Sequence, residues 1–399
     1  MSNTKKATIL IIGGGIGGLS TALGLARLGK EVHVLEQAPE FKEVGAGLQL
    51  APNALRVLDK LGVLEAVYDF SVFPRRNVAM CAITGRELSA IDYGSAFVEK
   101  FGYRYALMHR ADLLGALVDA CQETGLVTML TNHKVESIEN DGDTVFVTCE
   151  NGLTYESEVV IGADGVRSKT RELITGPWDE PVFSDYVAYR GTIALEEIAK
   201  DVNIKEDEKL TWIGPNIHLV QYALRRKEIF NQVAVFKTAK YRKGLENDDS
   251  WGTPEELDER FSTSCETVRR AVTFMQRQRR WPMFDRNPIN NWTKGRITLL
   301  GDAAHAMVQY LAQGACQSFE DADSLVEKFQ HFGSNYEQAL QAYQAERIPR
   351  ATKVQGMARK MGDIIHAEDS TSILMRDYIM ENRRSDDYSL MEYLYSPQK

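Results

Sequence analysis

Apolar positions follow two different rhythms along the chain, and the change of rhythm divides it. Residues 7–12 form an unbroken apolar run, residues 17–28 have the spacing of a helix that stops at Gly29, and residues 31–36 form a second run. Apolar runs on both sides of a helix are the pattern of a βαβ unit, whose parallel strands are buried on both faces. Residues 53–61 are amphipathic and predict a helix. Another is predicted over 109–124, where Leu113, Leu114, Leu117 and Val118 share a face and Gly125 is a stop. Residues 134–138 and 145–149 flank the turn cluster Asn140-Asp141-Gly142-Asp143 and read as a hairpin. Residues 159–162 return to the parallel-strand pattern.

The texture changes at residue 182. Strand-like runs at 187–193, 210–213, 218–224 and 232–236 alternate with charged turns. They predict an antiparallel sheet, a second domain inserted into the first. Residues 248–278 are charged and helical, 297–300 restore the parallel-strand signal, and 320–350 and the tail read as helices. A chain of 399 residues exceeds one ordinary core, which agrees with two domains.

Composition narrows the function. The hydrophobic share of 44% and charged share of 26% are those of an ordinary soluble globular protein. A net charge of -9 lacks the basic footprint that nucleic acid requires. Five cysteines, odd in number and with no CxxC pair, argue against a disulfide framework or a metal centre. They fit a reducing compartment, so a cytoplasmic location is expected. Lys5-Lys6 before an apolar stretch superficially looks like a secretory leader, but Gly13, Gly14, Gly15, Gly17 and Gly18 interrupt it. No run approaches the roughly 18 apolar residues of a membrane span.

The glycines have their own logic. Gly13, Gly15 and Gly18 make a GxGxxG pattern that follows a strand, opens a helix, and precedes acidic Glu36 at the end of the next strand. Gly13 allows the tight turn, Gly15 lets backbone approach a pyrophosphate, and Gly18 lets helix and strand pack closely. Glu36 can accept hydrogen bonds from ribose hydroxyls and would repel a 2′-phosphate. Later, Gly301-Asp302-Ala303-Ala304-His305-Ala306-Met307-Val308-Gln309-Tyr310-Leu311-Ala312-Gln313-Gly314-Ala315 follows the apolar run 297–300 and precedes a helix. Strand, acidic turn, small-residue loop and helix start form a site for a polar ligand against backbone amides.

This last stretch resembles the second flavin-binding motif of the class A flavoprotein aromatic hydroxylases. Three other segments carry the same resemblance: Glu43-Val44-Gly45-Ala46-Gly47-Leu48-Gln49-Leu50, His109-Arg110-Ala111-Asp112-Leu113, and Gly162-Ala163-Asp164-Gly165-Val166-Arg167-Ser168. They occur in family order and span most of the chain. The resemblance implies an α/β fold: a Rossmann-like FAD-binding domain with an inserted antiparallel-sheet substrate domain and C-terminal helices. The expected division is 1–72, 100–181 and 282–399 for the first, and 73–99 and 182–281 for the second. It implies that Gly47 and Leu48 approach the flavin ring, Arg110 reaches the ribityl and phosphate region, Asp302 meets the ribityl chain, and Gly314 and Ala315 lie beside the isoalloxazine. Asp164 serves the cofactor, caps the next helix, or does both. FAD and NADH or NADPH are the cofactors so implied.

Gln309 stands where most relatives have proline. With the run Trp212-Ile213-Gly214-Pro215-Asn216-Ile217-His218-Leu219-Val220-Gln221-Tyr222, it resembles the 3-hydroxybenzoate 6-monooxygenases. Strand alternation puts His218, Val220 and Tyr222 on one face. The resemblance implies O2-dependent hydroxylation of 3-hydroxybenzoate to 2,5-dihydroxybenzoate. His218 is then the base for the phenol, Gln309 orients the phenol oxygen, and Tyr222 hydrogen-bonds the substrate. His305 reads as a structural hydrogen-bonding group. Arg190 and Arg286 are the candidates for a carboxylate counter-ion. Alternatives left open are a salicylate 1-monooxygenase, a urate-type hydroxylase, and an NAD-dependent dehydrogenase. A small aromatic acid and O2 are the expected partners, with a homodimer as the family-level expectation.

Overall fold

The computed structural model describes residues 4–42, 47–198, 205–244, 248 and 250–397. Thr4–Ile12 lies between Val32–Leu35 and Thr154–Gly162, parallel to both. Val127–Leu130 extends this sheet in parallel beyond Val32–Leu35, and Ile297–Leu299 extends it beyond Thr154–Gly162. The predicted hairpin forms as Val135–Asp141 and Thr144–Cys149, and it joins the sheet through Thr154–Gly162. Helix Ile16–Arg27 makes the crossover from first strand to second, as the βαβ pattern requires. Its buried Leu19, Leu23 and Leu25 pack the sheet against Arg110–Thr124 and Gly314–Phe332. Arg110–Thr124 ends at Gly125, whose φ of 66° is the left-handed stop predicted there.

The second sheet runs in the order Arg280–Asp285, Val182–Ala194, Ile229–Lys237, Ile217–Leu224, Glu208–Gly214, Arg76–Cys81, Glu87–Asp92. Its pairs are antiparallel with one exception. Glu208–Gly214 pairs in parallel with Arg76–Cys81, because the early segment enters the sheet separately from the later one. The period of two then sorts the side chains. Val187, Tyr189, Trp212, Leu219 and Phe236 form a core with Trp251, Leu257, Phe261 and Val272. The helical stretch expected over 248–278 is two short helices, Pro254–Phe261 and Glu266–Thr273, covering that face. The opposite face, with Ala188, Arg190, His218, Val220, Tyr222 and Val233, turns inward.

Gly47–Leu50 bridges the two sheets. It pairs with Ala106–His109, and the Gly47 amide donates to Asn231 Oδ1 at 2.8 Å. A Cβ on Gly47 would lie 2.4 Å from the Tyr222 hydroxyl, so only glycine fits this crossing. Glu43–Ala46, the first half of the glycine loop read above, lies outside the described residues. The C-terminal part is helical over Gly314–Phe332, Tyr336–Ile365, Ser370–Glu381 and Ser389–Tyr395. Among the described residues no helix is long and apolar enough to cross a membrane.

Candidate active site

A cavity of about 1700 Å³ runs between the parallel sheet and the inner face of the second sheet. That exceeds the space a single small ligand needs and suits a dinucleotide together with a second molecule. Every site residue named from the sequence lines it except Gly18 and the counter-ion candidate Arg286. Gly18 acts from behind: a Cβ there would lie 2.1 Å from the Gly13 carbonyl oxygen. Gly13 itself turns at a φ of 107°. At Gly15 an added Cβ would meet nothing within 4 Å, so the chain there borders open space at the N-terminus of Ile16–Arg27. Backbone amides and the positive end of a helix dipole suit a pyrophosphate at that place.

The acidic residues around this end hold distinct positions. Glu36 accepts the amides of Gly14 and Ala38, both at 2.8 Å, one on each oxygen. Each carboxylate oxygen keeps a lone pair for a ribose hydroxyl. Asp164 accepts from the Ser168 hydroxyl at 2.6 Å and from the Thr170 amide at 3.1 Å. The N-cap of Lys169–Thr175 is Ser168, which accepts the Arg171 amide, so Asp164 supports the helix start without being its cap. Burial raises the Asp164 pKa, against the pull of these hydrogen bonds. Asp302 begins the short helix Asp302–His305 with its side chain exposed to the cavity.

The other end is built on the inner face of the second sheet. Strand Ile217–Leu224 brings His218, Val220 and Tyr222 onto the cavity wall in one row. His218 is 2% exposed, and its Nδ1 shares a hydrogen bond with His366 Nε2 at 2.7 Å. Burial, then His366 and Lys209, hold its pKa well below the ordinary histidine value, so the ring is neutral near pH 7. Burial likewise raises the Tyr222 pKa and keeps the phenol protonated, despite Arg190 nearby. From the facing loop Gln309 enters, and its Oε1 accepts a 2.7 Å hydrogen bond from Arg190 Nη2. Lys209 also lies on the wall; its Nζ donates to Asn77 Oδ1 at 3.0 Å and Thr211 Oγ1 at 3.1 Å. Burial lowers its pKa to about 8. Arg286 is not on the wall; its guanidinium is held by the Val166 and Asp179 carbonyls.

The profile of the family described as FAD binding domain matches residues 6–358. The chain belongs to this family. The FAD-binding chain is 36% identical over 397 residues to the 3-hydroxybenzoate 6-hydroxylase of Polaromonas naphthalenivorans (strain CJ2), covering 98% of this chain and 96% of that one. It is 37% identical over 385 residues to 3-hydroxybenzoate 6-hydroxylase 1 of Aquipseudomonas alcaligenes, covering 95% of each. Its fold is similar to that of Klebsiella pneumoniae HpxO complexed with FAD and uric acid, with a TM-score of 0.85 at 24% identity over 98% and 97% of the two chains. The glycine turn, the open pyrophosphate position and the free lone pairs of Glu36 all fit FAD, the cofactor of this family.

Sequence reasoning missed the groups that hold the turn at Gly301 from behind. Asp321 Oδ2 accepts the Gly301 amide at 2.9 Å and pairs with His305 Nε2 at 2.5 Å. Its Oδ1 accepts from Arg347 Nε at 2.8 Å. His305 is thus a buried structural partner, as its position suggested. Arg171, buried on Lys169–Thr175, donates to the Ala304 carbonyl at 2.6 Å and ties that helix to the same turn. Burial works to raise the Asp321 pKa, but His305 and Arg347 outweigh it and hold it at about 2. Its folded pKa is depressed, so its stabilisation is present above about pH 4 and is lost as pH falls toward 2. Asp321→Asn leaves Arg347 and His305 without their shared anion. Arg347 keeps Glu320 Oε2 at 2.8 Å, so the expected cost is about 1–3 kcal/mol, read as a lower midpoint in chemical denaturation at pH 7.

Proposed function

We propose that the protein is an FAD-dependent monooxygenase that hydroxylates 3-hydroxybenzoate para to its phenol, giving 2,5-dihydroxybenzoate, with O2 and NADH or NADPH as co-substrates. The convergence of His218 and Tyr222 on one wall of the cavity with Gln309 from the facing loop carries this reading. The names of the relatives reported above support the same substrate. Held by the Gly13–Gly15 turn and Glu36, FAD would supply hydride acceptance from the nicotinamide and the oxygen activation that ring hydroxylation needs.

The chain's own residues prepare that ring. A phenol is activated at the ortho and para positions by losing its proton. Neutral His218 accepts the proton at Nε2, the nitrogen not used by His366. Gln309 has its carbonyl held by Arg190, which leaves its amide N–H to donate to the phenol oxygen and orient it. Protonated Tyr222 is a second donor. Arg190 and Lys209 stand on the same inner face, and neither is ion-paired to a carboxylate among the described residues. A buried cation favours an anionic ligand, so a benzoate suits this wall. Val220 and Val233 supply apolar surface between them.

The test is NADH oxidation by the yellow holoprotein with 3-hydroxybenzoate, 4-hydroxybenzoate, salicylate and urate in turn. Stimulation by 3-hydroxybenzoate above the rest is expected. Turnover of salicylate or urate with none on 3-hydroxybenzoate overturns the assignment.

A further inference from the structure

We propose that His366 is the positioning residue for His218: it accepts the Nδ1–H of His218 and fixes the tautomer that opens Nε2 to the substrate. The inference rests on the reading of His218 as the phenol's base. His366 is 148 residues away in sequence and is not on the cavity wall, yet its Nε2 lies 2.7 Å from His218 Nδ1. One proton occupies that hydrogen bond. If His366 were its donor, His218 would carry its own proton on Nε2 and could not act as a base. Only a His366 that accepts is compatible with catalysis by His218.

The His366 ring is fixed on several sides. It stacks on Tyr186 at 4.3 Å and meets Tyr310 edge-on at 5.0 Å, while Tyr310 also meets His218 at 5.6 Å. Its backbone carbonyl accepts the Asn216 amide from the turn just before the His218 strand. The C-terminus of a helix and the start of a sheet hairpin are thereby pinned together at the two rings.

Charge placement keeps the pair neutral. The charged groups acting on these rings are Lys209 at His218, and Lys237 and Arg376 at His366. All are cations, so both rings rest neutral; burial first, then its two cations, lower the His366 pKa to about 3. Neutral His366 Nε2 therefore offers a lone pair to the His218 Nδ1–H, as the open tautomer requires. His366 is the C-cap of the 30-residue helix Tyr336–Ile365, and the Ile365 carbonyl beside it accepts from Arg376 Nη1 at 3.3 Å. The phenol O–H bond breaks as the His218 Nε2–H bond forms, while His218 Nδ1–H stays in its hydrogen bond to His366 Nε2. Phenolate and an adjacent, oppositely charged His218 imidazolium result. The reverse transfer returns the proton when the product phenol re-forms, so no outside acid or base is consumed.

The test uses the FAD-loaded protein without reductant, with bound 3-hydroxybenzoate titrated by its phenolate absorbance. Wild type is expected to ionise the bound phenol at lower pH than in free solution. His366→Phe should raise the bound phenol's apparent pKa by one unit or more, while affinity for benzoate, which has no phenol, changes less than threefold. His366→Gln, whose amide oxygen still accepts the Nδ1–H, should fall between the two. It also serves as the probe if His366→Phe fails to fold. An unchanged phenol pKa in a folded, flavin-loaded His366 variant overturns the inference. If His218→Phe shifts the phenol pKa and the His366 variants do not, the base reading stands and the pairing fails. If His218→Phe also leaves it unshifted, both fall together.

Discussion

His218→Ala is expected to keep its FAD, continue to oxidise NADH when 3-hydroxybenzoate is present, and lose hydroxylated product by roughly 10²–10⁴-fold, the usual weight of a positioned general base. The reasons are local. His218 sits on the inner face of the second sheet, away from the glycine turn, so flavin binding does not depend on it. Without the base, the phenol stays protonated and the ring is a poor acceptor of oxygen. Reducing equivalents are then spent on hydrogen peroxide. The variant also strands His366 Nε2 in a buried place, costing about 1–3 kcal/mol of stability. Peroxide and 2,5-dihydroxybenzoate should be measured together, and unchanged coupling would remove His218 from the role.

Gly18→Val is expected to abolish flavin binding. Its Cβ would meet the Gly13 carbonyl oxygen at 2.1 Å, and that partner is backbone, so no rotamer change relieves the clash. The turn at Gly13 must open, and the helix Ile16–Arg27 must move away from its strand. Both shifts withdraw amides from the pyrophosphate position. At least a tenfold loss of FAD affinity, about 1.4 kcal/mol, is the minimum expected. The flavin-to-protein absorbance ratio after gel filtration reads it. Gly15→Ala separates the two causes: its added methyl faces open space, so the fold should keep its stability and any flavin loss should come from contact with the bound ligand.

What could be seen in the sequence was whatever depends on local period. The βαβ unit, the stop at Gly125 and the shared face of His218, Val220 and Tyr222 follow from spacing within a single element. The parallel pairing of Arg76–Cys81 with Glu208–Gly214 does not, because it joins segments 132 residues apart in register. The same holds for the groups behind the site. Asp321 and Arg347 are charged residues at helical spacing, indistinguishable in sequence from a solvated face, yet they are 0% and 3% exposed. His366 looks like an ordinary residue near a helix end until the hairpin at Asn216 is folded against it. Lys209 reads as one charge among several in 205–209, and only the register beside Asn77 turns it inward. Of the two arginines considered for the carboxylate, Arg190 faces the cavity and Arg286 is taken up by carbonyls, a distinction no spacing contains.

The identity of the product tests the central claim most directly. Holoprotein should be supplied with NADH, 3-hydroxybenzoate and ¹⁸O2, and the product resolved by chromatography and mass spectrometry. The predicted result is 2,5-dihydroxybenzoate carrying one ¹⁸O in the new hydroxyl. Unlabelled product, or label in 2,3- or 3,4-dihydroxybenzoate, would contradict the orientation assigned to His218 and Gln309.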